Sequence, residues 1–189
     1  MSGIVIISGS PTPGSRLNGI IEHVEKNWVG KGIEVGHIRV ADLPAEALLH
    51  ANFKNESILA ALARVEAASG VVIASPVYKA SYTGILKAFL DLLPQTGLKG
   101  KVTLPLFIGG TIAHLLSLDY ALKPVLSVLG SRNILGGVFA IDQWVQRLEG
   151  GGYELSEELR ERLDRSAEEL AEEIAWLDVR AKENGGVKA

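Results

Sequence analysis

Short, fully apolar, β-branched runs alternate along this chain with stretches whose apolar residues recur every three or four positions. Ile4-Val5-Ile6-Ile7 opens the series and is ended by Ser8-Gly9-Ser10-Pro11, which cannot continue regular pairing. Leu17 to Val29 follows with Leu17, Ile20, Ile21, Val24 and Trp28 on one helical face. Ile33 to Val40 reads as a second strand, Ile58 to Ala68 as a helix and Val71 to Ala74 as a third strand. Tyr82 to Leu93 is the next helix, stopped by Pro94. Val102 to Ile108 is a fourth strand, although Pro105 inside it argues against a central place. Ala113 to Leu129 is helical with Pro124 predicting a kink or break, and Ile134 to Ile141 is a fifth strand. Leu155, Leu159, Leu163, Ala167, Leu170, Ile174 and Leu177 then mark one long amphipathic C-terminal helix.

Strands that are apolar throughout must be covered on both faces, which means a parallel sheet with helices above and below. The expected fold is an α/β, flavodoxin-like five-stranded sheet of order 2-1-3-4-5, with ligands at the carboxyl ends of the strands. One domain over residues 1–180 suits a 189-residue chain, leaving 181–189 as a tail expected to fray.

Composition removes whole classes of chemistry. With no cysteine, thiolate–zinc sites, iron–sulfur clusters and cysteine nucleophiles are excluded. His23, His37, His50 and His114 lack metal-ligand spacing, so no metal is expected. A net charge of −3 gives no reason to expect nucleic acid as a partner. No run approaches the roughly 18 apolar residues of a membrane span, and the N-terminus has no basic region before its short apolar run, so a cytoplasmic protein is expected.

Three loops carry ligand-suited residues. Ser8 to Asn18 combines hydroxyls, glycines and Arg16 and opens onto a helix. Its amides and the positive helix end suit an anion, while the plain reading is a tight loop with Ser15 as N-cap. It is neither a Walker A loop nor a dinucleotide GxGxxG. Ser75 to Gly84 offers two tyrosines and a proline for a flat-walled slot, or simply a loop whose tyrosines pack on the surface. Gly84 is expected to be required because a side chain would crowd the helix start. Gly109-Gly110-Thr111 lets backbone approach a ligand closely; His114 just behind suits a hydrogen-bonding role better than catalysis. Phosphate and ring subsites without an acid–base constellation or GxSxG elbow suit cofactor-borne chemistry, as when a flavin N5 takes hydride from a nicotinamide. No catalytic side chain is assigned.

These same segments resemble a known family. Gly9-Ser10-Pro11 through Ser15-Arg16, Pro76-Val77-Tyr78-Lys79-Ala80-Ser81-Tyr82-Thr83-Gly84-Ile85-Leu86-Lys87 and Gly109-Gly110-Thr111 are similar to the NADPH-dependent FMN reductases of flavodoxin-like fold. Gly110 to Leu116 with Asp119 to Leu126 resembles a narrower branch, the FMN reductases of two-component alkanesulfonate monooxygenase systems. The resemblance implies an FMN phosphate at Ser10, Ser15 and Arg16, and ring contacts from Pro76, Val77, Tyr78, Lys79 and Ser81 and from Gly109, Gly110 and Thr111. It implies reduction of FMN by NADPH and delivery of FMNH2 to a flavin-dependent monooxygenase in sulfonate metabolism. Many relatives carry an arginine near Thr12, a position that is not basic here.

Competing readings are a quinone or azo-dye reductase with tightly bound FMN and a flavodoxin-type electron carrier, the latter usually far more acidic. Leu115 to Leu122 is apolar on more than one face, from deep packing on the sheet or from an interface. The branch carries a π-bulge at a subunit contact, which assigns Tyr120 to such a bulge and implies a homodimer or homotetramer.

Overall fold

Apolar runs become a single mostly parallel sheet in the computed structural model, which describes residues 3–185. The strands are β1 (Ile4–Ser8), β2 (Val35–Arg39), β3 (Gly70–Tyr78), β4 (Ser81–Tyr82), β5 (Val102–Gly109), β6 (Asn133–Ile134) and β7 (Val138–Ile141). A separate antiparallel pair, β8 (Val145–Arg147) with β9 (Tyr153–Leu155), follows. The path is β2-β1-β3-β5-β6, with β7 also on β5 and β4 turned back against β3. With β4 set aside and β6 and β7 taken as one interrupted strand, this is the expected 2-1-3-4-5 order.

Pro105 sits inside the sheet, not at its edge, which corrects the expectation drawn from it. β5 pairs β3 on one side and β6 and β7 on the other. Leu135 N–H bonds the Thr103 carbonyl, so Thr103, and by alternation Pro105, face the β6/β7 side. The ring's missing donor therefore falls opposite the gap between Ile134 and Val138. Gly137 turns there at φ +81°, and a Cβ on it would lie 2.7 Å from the Pro105 carbonyl oxygen. The fifth strand is broken where its neighbour cannot donate.

Helices cover both faces: α1 (Leu17–Gly30), α2 (Ala45–Leu49), α3 (Glu56–Ala67), α4 (Gly84–Leu90), α5 (Lys123–Val128) and α6 (Glu157–Gly185). Side-chain alternation splits the core. Val5, Ile7, Val71, Ile73 and Phe107 pack with Ile58, Leu86, Phe89 and Leu126 of α3, α4 and α5. Ile4, Ile6, Val72, Leu104 and Leu106 pack with Leu17, Trp28, Leu159 and Leu163 of α1 and α6. Trp28 also donates from Nε1 to the Ala167 carbonyl at 2.9 Å, which fixes α6 on α1. The α3 start is set by Asn55, whose Oδ1 accepts from Ser57 and Ile58 N–H.

The helix expected over Ala113 to Leu129 is instead three pieces: a 3-10 turn at Ile112–His114, a π turn at Leu118–Leu122, and α5. Pro124 lies in the first turn of α5, directly after the π turn, where the Lys123 N–H still reaches back to the Leu118 carbonyl. Helix α6 reaches into the segment expected to fray, whose positions 186–189 lie outside the described residues.

Candidate functional site

Strand register gathers the three loops at one sheet edge. Ser8 lies beside Ala74, and Pro76 beside Ile108, so the loops after β1, β3 and β5 leave from adjacent strand ends.

The first loop is fixed by its own side chains. Ser10 is buried; its hydroxyl donates to the Thr12 carbonyl at 3.2 Å, while Pro11 to Gly14 stay exposed. Asn18 Nδ2 holds the Pro13 carbonyl at 2.6 Å. Buried Ser15 turns its oxygen inward to accept from Leu17 N–H at 3.2 Å, and the backbone N-cap is Arg16. Half-buried Arg16 donates from Nε to the Val145 carbonyl at 3.0 Å, its sole side-chain hydrogen bond among the described residues. Its two terminal nitrogens make no hydrogen bond among the described residues. No acidic residue stands in the first turn of α1, so the positive helix end is not neutralised.

The second segment is a hairpin rather than an open loop. Val77 pairs Tyr82 and Tyr78 pairs Ser81, which leaves a two-residue turn of Lys79 and Ala80 at φ +51° and +63°. Such turns usually take Asn-Gly, and two non-glycine residues in the left-handed region carry strain. The turn lifts Tyr78 to 50% exposure while Pro76 below it is buried. Half-buried Tyr82 has its phenol pushed up by burial, partly offset by the Lys87 charge. Lys87 is in turn held protonated by its hydrogen bond to Asp91. Thr83 caps α4 through its hydroxyl.

Gly84 does not meet the expectation of crowding, since nothing lies within 4 Å of where its Cβ would be. The tight glycines are elsewhere. A Cβ on Gly9 would lie 2.6 Å from Leu86 Cβ, and one on Gly109 would lie 3.1 Å from the Phe139 ring. Gly110 and Thr111 are exposed, and Thr111 Oγ1 accepts from Ala113 N–H to start the 3-10 turn. A Cβ on Gly110 would be 3.9 Å from Asp142 Oδ2, a carboxylate that sequence reading did not bring to this edge. Val145, which tethers Arg16, was equally invisible, although Gly150-Gly151-Gly152 mark the turn of its hairpin.

Tyr120 lies in the π turn and is 79% exposed, with Leu115, Leu116 and Val128 exposed nearby in sequence. A cavity of about 480 Å³ opens elsewhere, along the free edge of β2, lined by His37, Arg39, Asp42 and Arg64 among others. Among the described residues no cluster of three His, Asp or Glu side chains could hold a metal ion, and no helix is long and apolar enough to cross a membrane.

The arrangement sets a guanidinium and an unopposed helix end beside exposed backbone and one tyrosine ring. Comparison decides what it belongs to. The family described as NADPH-dependent FMN reductase matches residues 3–146. The chain belongs to the NADPH-dependent FMN reductase family. It is 45% identical over 142 residues to an FMN reductase (NADPH) of Escherichia coli, covering 75% of this chain and 74% of that one. It is 44% identical over 167 residues to one of Pseudomonas putida, covering 87% and 84%. Its fold superposes on an apo NADH:FMN oxidoreductase with a TM-score of 0.81 at 36% identity, covering 90% and 88%. This FMN reductase homologue is accordingly an oxidoreductase whose cofactors are FMN and NADPH. Its loops fit FMN: a guanidinium stands at a helix end with no acidic residue in its first turn, which suits a phosphate, and exposed Gly110 offers backbone without a side chain.

Proposed function

We propose that this chain reduces FMN at the expense of NADPH as a passing substrate and hands FMNH2 to a separate flavin-dependent monooxygenase in cytoplasmic sulfonate metabolism. The observation that carries the reading is the openness of the shelf. Tyr78, Gly110 and Thr111 face solvent, while buried Ser10, Pro76 and Gly109 hold the loops that bear them. A flavin on such a shelf is held by its edges and can leave.

In this reading Ser10, Ser15, Arg16 and the neighbouring amides bind the phosphate. Pro76, Val77, Tyr78, Lys79 and Ser81 border the ring on one side, and Gly109, Gly110 and Thr111 on the other. Bound FMN supplies the redox chemistry, accepting two electrons from the nicotinamide. The protein orients and brings close; no side chain is required to relay a proton. Exposed Tyr120 supports assembly into a homodimer or homotetramer through the π turn.

The test is purification followed by steady-state NADPH oxidation with FMN, FAD and riboflavin. The expected result is a colourless protein that turns over added FMN. A yellow protein that keeps its flavin and reduces quinones, or that oxidises no NADPH, overturns the reading in favour of a quinone reductase or an electron carrier.

A further inference from the structure

One buried hydroxyl joins the second loop to the first, and another braces it from within the second loop. Thr83, 2% exposed, donates from Oγ1 to the Gly9 carbonyl at 2.6 Å and accepts from Leu86 N–H at 3.3 Å. Ser75, fully buried, accepts from Thr83 N–H at 3.1 Å and donates to the Pro76 carbonyl at 2.8 Å. Gly9 N–H meanwhile bonds the Ala74 carbonyl at 2.8 Å. Both backbone groups of Gly9, the residue before Ser10, are thus committed to the segment that carries Pro76 and Tyr78. The approach is close enough that Thr83 Oγ1 would lie 3.0 Å from a Cβ on Gly9.

We propose that Ser75 and Thr83 are positioning residues: a hydroxyl clasp that sets the span between the phosphate cradle and the ring shelf. The inference rests on the flavin reading of those two subsites. A ligand that touches both sites gains from their fixed separation, because the second contact is made within an already bound molecule. A ligand that touches only one gains nothing from it. The clasp therefore acts on FMN as a whole molecule and not on its ring alone.

The comparison is FMN against lumiflavin, which has the ring without ribityl phosphate, each titrated by flavin fluorescence. Wild-type protein binds FMN the more tightly if the two subsites are as proposed; equal affinities overturn the flavin reading itself. Given that preference, Thr83→Val removes the bond to Gly9 and is expected to weaken FMN by roughly tenfold while lumiflavin changes by less than about twofold. Thr83→Ser keeps the hydroxyl and is expected to restore FMN affinity. Ser75→Ala leaves the α4 cap intact and is expected to act in the same direction, which separates the clasp from helix capping and serves if Thr83→Val does not fold. Parallel weakening of both ligands, or an unchanged FMN preference in Thr83→Val and Ser75→Ala, overturns the clasp.

Discussion

Arg16 Nε and the Val145 carbonyl meet at 3.0 Å across 129 positions of sequence. This bond ties the start of α1 to β8 and fixes where the rest of the guanidinium points. One arginine therefore serves the scaffold with one nitrogen and the proposed phosphate site with the others.

The two duties separate by ligand. Arg16→Ala is expected to weaken FMN by about 1.5–3 kcal/mol, ten- to hundredfold in Kd, and riboflavin far less. Arg16→Lys keeps the charge but not the fork, and falls between. Equal losses for FMN and riboflavin would assign Arg16 to the scaffold alone.

Glycine substitutions discriminate between close approach and mere loop character. Gly9→Ala places a methyl 2.6 Å from Leu86 Cβ and is expected to destabilise the fold by about 1–3 kcal/mol. Gly84→Ala meets open space within a helical turn and should be neutral or stabilising by about 0.5 kcal/mol. Thermal or denaturant unfolding of the two variants checks both signs.

Assembly is checked by sedimentation velocity. Wild-type protein is expected as a dimer or tetramer, and Tyr120→Ala is expected to shift it toward smaller species, by roughly tenfold or more in the association constant. A monomeric wild type, or a variant that assembles unchanged, removes Tyr120 from the contact.

Asp164 contributes to stability against acid. Burial alone would raise its pKa, but hydrogen bonds from His23 and Asn27, each 2.7 Å, with the nearby His23 and Arg160 charges, leave it lowered. A carboxylate with a depressed folded pKa stabilises the fold above its ordinary range and loses that contribution as pH falls through the folded value. Melting temperature is expected to fall on that acid side, and Asp164→Asn to flatten the fall.

Strands and helices were legible because periodicity records burial on one face or two. Leu17, Ile20, Ile21, Val24 and Trp28 are buried together as their spacing required. What periodicity does not record is pairing across the sheet. Pro105 looked like an edge residue because its accommodation depends on Gly137, far along the chain. The Lys79-Ala80 turn carried no Asn-Gly signal, so a hairpin passed for a loop. The three site loops were visible as residue types, yet the bonds that place them, Thr83 to Gly9 and Arg16 to Val145, span 74 and 129 positions and leave no local trace.

The interrupted fifth strand also limits how this molecule can be joined to another. Its outer rim has no unbroken ladder of donors and acceptors, since Gly137 turns away opposite Pro105. On the far rim Arg64 already occupies the His37 carbonyl of β2 at 2.9 Å. Each margin is thus interrupted at one point, which makes strand addition there less favourable. In the assembly proposed above, the contact is therefore expected on helix and loop surfaces rather than along a strand.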